Sequence, residues 1–165
     1  GQAWLLLGGF LTGIILIVGT IANGGVKRPL TILKTENRAA GERVFSETNT
    51  ALLRDMLEGV VDKKAKNAQV EGYRVGGKTG TIRKSIAGGY GNDYVGLFAG
   101  IAPLTDPQLS VVVVINEPGG DVYHGGEIAA PVFSRVMKGA LRLLNIAPDK
   151  ITTASNEVTA GGVDA

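Results

Sequence analysis

Residues 78–83 read Lys-Thr-Gly-Thr-Ile-Arg and gather two hydroxyls, two cations and a glycine into one short stretch. Such a set binds anions. If the stretch is a β-strand, side chains alternate, so Thr79, Thr81 and Arg83 share one side and can converge on a single carboxylate. Gly80 then leaves room for an extended ligand backbone to lie flat against the strand, where any side chain would block it. Lys78 adds a fixed positive charge beside the site, able to lower the pKa of a neighbouring hydroxyl.

The same residues fit a second pattern. Gly72, Gly77, Lys78 and Thr79 match G-x-x-x-x-G-K-[ST], the spacing of a phosphate-binding loop. That loop works only between a buried strand and the positive N-terminus of a helix. Both flanks argue against it. Upstream, "KNAQVEGYR" has too few apolar residues for a central parallel strand; downstream, Gly80, Gly88, Gly89 and Gly91 fall where the helix would start. The apolar run "VVVVINEP" places Asn116 where a magnesium-binding acid belongs, and a neutral amide is a poor ligand for a hard cation.

The elements that must hold the site can be read from pattern. Apolar residues make up 44% of the 165 and charged residues 19%, enough for one domain with a core. Three strands are predicted around 75–84, 93–102 and 109–116, separated by the turn-rich segments "SIAGGYGN" and "PLTDPQ". A further short strand is expected at 30–34. Ser46 is placed to cap a helix in which Leu53, Met56, Leu57, Val60 and Val61 recur at three- and four-residue steps. "DKKAKNAQVEG" reads as an exposed loop. A last helix spans about 128–144, with Ala129, Val132, Phe133, Val136, Met137, Ala140, Leu141 and Leu144 on its apolar face and Pro131 in its first turn. The fold class is therefore α+β, an antiparallel sheet flanked by helices.

Composition narrows the chemistry. Seventeen basic and fifteen acidic residues leave a net charge of +2, with no basic run interleaved with aromatics, so nucleic acid is not a partner. There is no cysteine, and the single histidine, His124, cannot build an imidazole metal site. No cofactor or metal is expected. Residues 3–22 carry no charge and are about the twenty residues that cross a bilayer core, which predicts a membrane helix. A buried core helix and a frame-shifted or artefactual sequence are the alternatives. Lys27 and Arg28 would place the remainder of the chain in the cytoplasm. The organisation expected is an apolar segment at 1–22, a domain at 23–149 and a disordered tail at 150–165.

Against this background the chain resembles the class B penicillin-binding proteins, in particular the cell-division transpeptidases of Gram-negative bacteria. The resemblance is collinear through "TIANGGVKRPL", "GERVFSE", "GYRVGGKTGTIRK", "GYGNDYVGLFAGIAP", "VVVVINEP" and "GGEIAAPVFSRVMKGALRLLNIAPD". It implies a serine-type peptidoglycan D,D-transpeptidase anchored in the inner membrane and facing the periplasm, opposite to the orientation that the charge flanks give. Its partners would be the D-Ala-D-Ala stem peptide, β-lactams and division-complex proteins. The resemblance also assigns roles. Thr79 and Thr81 would hold the substrate carboxylate, the Thr81 backbone N–H would complete an oxyanion hole, Lys78 would act electrostatically, and Gly80 and Arg83 would line the ligand. "DVYHGGEIAAP" resembles the family's aromatic-Gly-Gly loop, which brings Tyr123 and Gly125 into the substrate-binding set, with His124 where an aromatic residue is usual.

Two departures qualify it. Acyl transfer in this family needs S-x-x-K, S-x-N and K-T-G, and only the last is present: Ser46, Ser85, Ser110, Ser134 and Ser155 open neither of the other two. The family also carries an amphipathic helix before "ANGG", where this sequence is uninterruptedly apolar. These point to the C-terminal part of a transpeptidase domain, inactive alone. The alternative is a non-catalytic, membrane-anchored binding module of the same fold.

Overall fold

A computed structural model describes residues 2–33, 39–86 and 88–150. Helix α1 (Gln2–Ala22) is followed by a two-residue strand β1 (Val26–Lys27), paired antiparallel with β2 (Glu42–Arg43). Helix α2 (Glu47–Lys64) and a 3-10 turn (Lys66–Ala68) lead into strands β3 (Gly76–Ile86), β4 (Gly89–Ala102) and β5 (Leu109–Asn116), and helix α3 (Gly125–Leu143) completes the order. The sheet runs β3-β4-β5, antiparallel throughout.

β4 lies in the middle, and the register sorts its two faces. Gly96, Phe98 and Gly100 point toward α3: a Cβ on Gly96 would meet Ile128, and one on Gly100 would meet the Phe133 ring. Phe98 and Phe133 sit ring on ring, with centroids 4.7 Å apart and planes tilted by 57°. Both are fully buried, with Ala129, Ala130, Met137 and Leu141 beside them. Ile101 points to the other face, where Ile21 and Leu104 bury with it and Val18, Ala22 and Leu57 pack around them. Here α1 covers the sheet.

The last turns of α1 thus behave as the core-helix alternative requires. Among the described residues no helix is long and apolar enough to cross a membrane.

Helix α2 starts where the sequence places it, with the Ser46 hydroxyl accepting from the Asn49 N–H at 3.1 Å. Its apolar stripe is only partly used, since Val61 is buried while Met56 is 66% exposed. The Arg74 guanidinium ties α2 to the run into β3. It donates to both Glu58 carboxylate oxygens, at 2.9 and 2.5 Å, and lies 3.4 Å from Asp55. The Glu58 hydrogen bond holds the Arg74 pKa above the ordinary arginine range against the opposing effect of partial burial, so the cation persists at every accessible pH.

Several expectations are corrected. Residues 30–33 form no strand; Leu30, Ile32 and Leu33 are exposed, and the pairing happens instead at Val26 and Lys27. Lys34 and the expected tail from residue 151 onward lie outside the described residues. The "SIAGGYGN" segment is mostly strand, because pairing continues past an irregularity between Arg83 and Ser85 to Ser85 with Tyr90 and Ile86 with Gly89. The turn closes at Gly88, whose φ of 89° suits glycine. The supposed exposed loop after α2 buries Ala65, Ala68 and Val70 in the core. Asn67, Gln69 and Glu71 there meet Gly126, Ser134 and Lys138 of α3. Helix α3 begins three residues earlier than predicted, so Pro131 falls inside it rather than in its first turn.

Truncating Phe133 removes the ring that fills the space over Gly100. Phe133→Ala is expected to cost about 3–5 kcal/mol, read as a lowered midpoint in urea unfolding.

Candidate substrate-binding edge

β3 pairs with β4 along one edge, and its other edge has no strand partner among the described residues. The ladder determines which backbone groups face that open edge. The Glu117 N–H donates to the Tyr94 carbonyl, so the backbone of Tyr94 faces β5. Tyr94 is opposite Arg83 in the register and Gly96 is opposite Thr81. In an antiparallel ladder outward- and inward-facing residues alternate, so Arg83, Thr81 and Thr79 turn their N–H and C=O groups away from β4, onto the open edge.

The side chains of these three residues share the α3 face, as period two requires. Thr81 Oγ1 accepts a hydrogen bond from the Gly125 N–H at the start of α3, 3.2 Å away. Its own proton is then left to donate outward, toward the edge. Gly126 stands over Thr79, since a Cβ there would come within 3.3 Å of the Thr79 methyl.

Lys78 is on the opposite face, with Gly80 and Ile82, by the same alternation. Its amine nevertheless reaches the edge, because Nζ donates to the Thr79 carbonyl at 2.8 Å. The open edge is therefore flanked by hydroxyls from one side of the sheet and an ammonium from the other, with backbone donors between them.

Arg83 sits apart from this group. Its Nε donates to the Gly91 carbonyl at 2.6 Å, its Nη2 to Asn92 Oδ1 at 3.1 Å, and its guanidinium lies 5.9 Å from the centre of the Tyr94 ring. Those contacts hold it against the β3–β4 hairpin. Tyr94 in turn stacks on Tyr123, centroids 3.9 Å apart and planes 16° apart, and Tyr123 abuts His124 at 4.5 Å. A ladder of four side chains thus runs along the α3 face, ending at the residue that precedes α3. His124 is exposed and makes no side-chain cap on the helix.

The glycines also permit close packing. Gly125 is buried, and a Cβ there would overlap the carbonyl oxygens of Gly80 and Leu97, so its role is to let α3 touch the sheet backbone. A Cβ on Gly80 would run into the Leu97 side chain, which ties this glycine to packing against β4. Tyr94, Gly91 and Asn92 were not singled out from sequence. The cross-strand pairing of Arg83 with Tyr94 would have found them, but it depends on the irregularity in the hairpin.

Gly125→Ala is expected to push α3 off the sheet, destabilise the protein by about 1–3 kcal/mol and shift the Thr81 amide resonance. Gly126→Ala gains helix propensity but presses on the Thr79 methyl at 3.3 Å, so its effect should stay within about 1 kcal/mol in the same unfolding assay.

Comparison with known proteins identifies the family and fold. Residues 13–138 match the family described as the penicillin binding protein transpeptidase domain. The chain is 41% identical over 140 residues to the peptidoglycan D,D-transpeptidase FtsI of Escherichia coli K12, covering 83% of this chain and 24% of that protein. It is 36% identical over 138 residues to the probable peptidoglycan D,D-transpeptidase PenA of Neisseria gonorrhoeae, covering 82% and 24%. Among solved structures, the apo transpeptidase domain of Burkholderia pseudomallei penicillin-binding protein 3 superimposes with a TM-score of 0.74 at 41% identity, over 80% of this chain and 41% of that one. The chain spans about a quarter of the length of the curated relatives it matches. With three-quarters of its residues inside the family match and the same fold in a solved relative, this chain belongs to the penicillin-binding protein transpeptidase domain family.

Proposed function

We propose that this chain forms the substrate-holding wall of a peptidoglycan D,D-transpeptidase that cross-links the septal cell wall and is a target of β-lactams. The observation that carries the reading is the convergence on one open strand edge of the Thr79 and Thr81 side chains, the Lys78 amine and outward-facing backbone groups. A stem peptide ending in D-Ala-D-Ala fits it in extended form. Its backbone adds to β3 as a further strand, through the outward groups of Thr79 and Thr81. Its terminal carboxylate accepts from the two threonine hydroxyls, and the Gly125 N–H keeps that of Thr81 oriented as a donor. The scissile carbonyl oxygen lies at the Thr81 N–H, where negative charge would develop on attack. Lys78 stabilises the same anionic region from the other face of the sheet. Tyr123 belongs to the wall that borders the ligand, stacked on Tyr94. In this reading Arg83 acts indirectly, by holding the hairpin and Tyr94, and Gly80 and Gly125 act by allowing close packing.

The acyl step itself needs a nucleophilic serine with its lysine, and a second serine to shuttle protons. None of the five serines of these 165 residues stands in S-x-x-K or S-x-N. In this proposal the chain alone binds and does not acylate. Cell-wall chemistry of this kind places the site on the periplasmic side of the inner membrane, within reach of the division machinery.

Two outcomes test the reading. An N-acylated peptide ending in D-Ala-D-Ala should shift the amide resonances of Thr79 and Thr81, and the same peptide with an amidated C-terminus should not. Thr81→Val removes one hydrogen bond to a charged group worth about 1.5–3 kcal/mol, together with the acceptor of the Gly125 N–H, and should weaken binding about tenfold or more. Failure of the free carboxylate to compete for the site would overturn the assignment. Separately, incubation with a fluorescent penicillin should leave no covalent label on the chain after denaturing electrophoresis. A stable adduct would show that a serine here is activated by some other route, and the binding-only reading would fall.

A further inference from the structure

After α3 the chain turns back across the fold. Asn145 takes a φ of 52°, and the Asn145 and Ile146 N–H groups return to the carbonyls of Arg142 and Leu141, closing the helix. Residues 146–150 then run beside the segment that enters β3. The Tyr73 hydroxyl donates to the Ile146 carbonyl at 2.6 Å, Pro148 lies against Gly72, and the Lys150 N–H donates to the Gly72 carbonyl at 3.0 Å. Between these contacts the Asp149 carboxylate accepts two backbone donors from different places: the Arg74 N–H at 2.7 Å and the Thr105 N–H at 3.0 Å. Arg74 precedes β3, Thr105 lies in the connection between β4 and β5, and the Leu104 N–H also donates to the Arg74 carbonyl.

From this convergence we propose that residues 145–150 are a clasp and that Asp149 is a positioning residue for the ligand-holding strand, a role that rests on reading the open edge of β3 as the substrate site. The chemistry is that of an ionised acceptor with two oxygens, each satisfying a backbone N–H that the sheet does not use. Arg74 is only four residues before Lys78, and its side chain is held at the same time by Glu58 of α2. The clasp fixes the start of β3 while the Gly125 N–H fixes its middle through Thr81, so the strand is held both by the residue that opens α3 and by the segment that follows it. The open edge has no strand partner among the described residues to set its height and twist. In the proposal these two attachments replace one.

The test uses the full chain and reads the site directly. Asp149→Ala, and the gentler Asp149→Asn, whose side chain has one accepting oxygen instead of two, are compared with Val113→Ala on β5, a truncation remote from the clasp. The Asp149 variants should shift the Thr79 and Thr81 amide resonances, speed hydrogen exchange through residues 76–81 at least tenfold, and weaken the D-Ala-D-Ala peptide about fivefold. Val113→Ala, in line with Thr79 across β4, should lower the unfolding midpoint while moving those readouts less than the Asp149 variants do. If the Asp149 variants leave the Thr79 and Thr81 resonances unmoved, or alter them no more than Val113→Ala does, Asp149 is only a stabilising contact and the proposal is overturned. If the resonances and exchange respond to Asp149 while wild-type protein binds no carboxylate peptide, the positioning role stands and the substrate reading falls.

Discussion

The contact between the start of α3 and the backbone of β3 and β4 is the constraint on which the rest of the structure depends. It exists because Gly125 has no side chain: any Cβ there would occupy the space of two carbonyl oxygens. With the helix that close, its first N–H reaches the Thr81 hydroxyl, Ile128 drops over Gly96, and Phe133 seats itself over Gly100 against Phe98. A helix held an ångström farther away would lose the hydrogen bond and open a void under the phenylalanine pair. Close-packed interiors tolerate such gaps poorly. The core and the site are thus consequences of one approach distance.

That approach also shows how a strand edge stays usable. Edge strands expose unpaired donors and acceptors and invite pairing with other chains. Here the edge carries Lys78, whose ammonium occupies the Thr79 carbonyl, together with Arg83, drawn back into its own hairpin. Charge at an edge discourages indiscriminate pairing, while the threonine hydroxyls and the outward N–H groups line the edge with donors. The two faces of β3 contribute different chemistry to one line of atoms. A helix could not do this so economically, because it does not present side chains to opposite sides of a single exposed row of backbone groups.

Much of this was legible in the residues. The alternation of 79, 81 and 83, the three antiparallel strands, the Ser46 cap and the amphipathic last helix follow from periods of two and 3.6 and from capping chemistry, which are local rules. The failures have physical causes as well. The stretch after α2 looks solvated because its lysines are conspicuous, yet its small residues Ala65, Ala68 and Val70 fill the space beside α3. The apolar run at the start looks like a membrane helix because uncharged residues bury equally well in lipid or against a sheet. Its last turns use Val18, Ile21 and Ala22 against Leu57, Ile101 and Leu104.

By itself the sequence determined the family, the fold class and the strand that carries the hydroxyls and the lysine, because those depend on residue type and spacing along the chain. It also determined that the nucleophile motifs are missing from these residues. Tertiary structure decided what each residue does. It set Gly125 in close contact with the sheet backbone, held Arg83 against the hairpin beside Tyr94, and brought Asp149 back across 75 residues to the start of β3. Those outcomes rest on register, on the hairpin irregularity and on contacts between residues far apart in sequence, and none of these leaves a periodic mark on the chain.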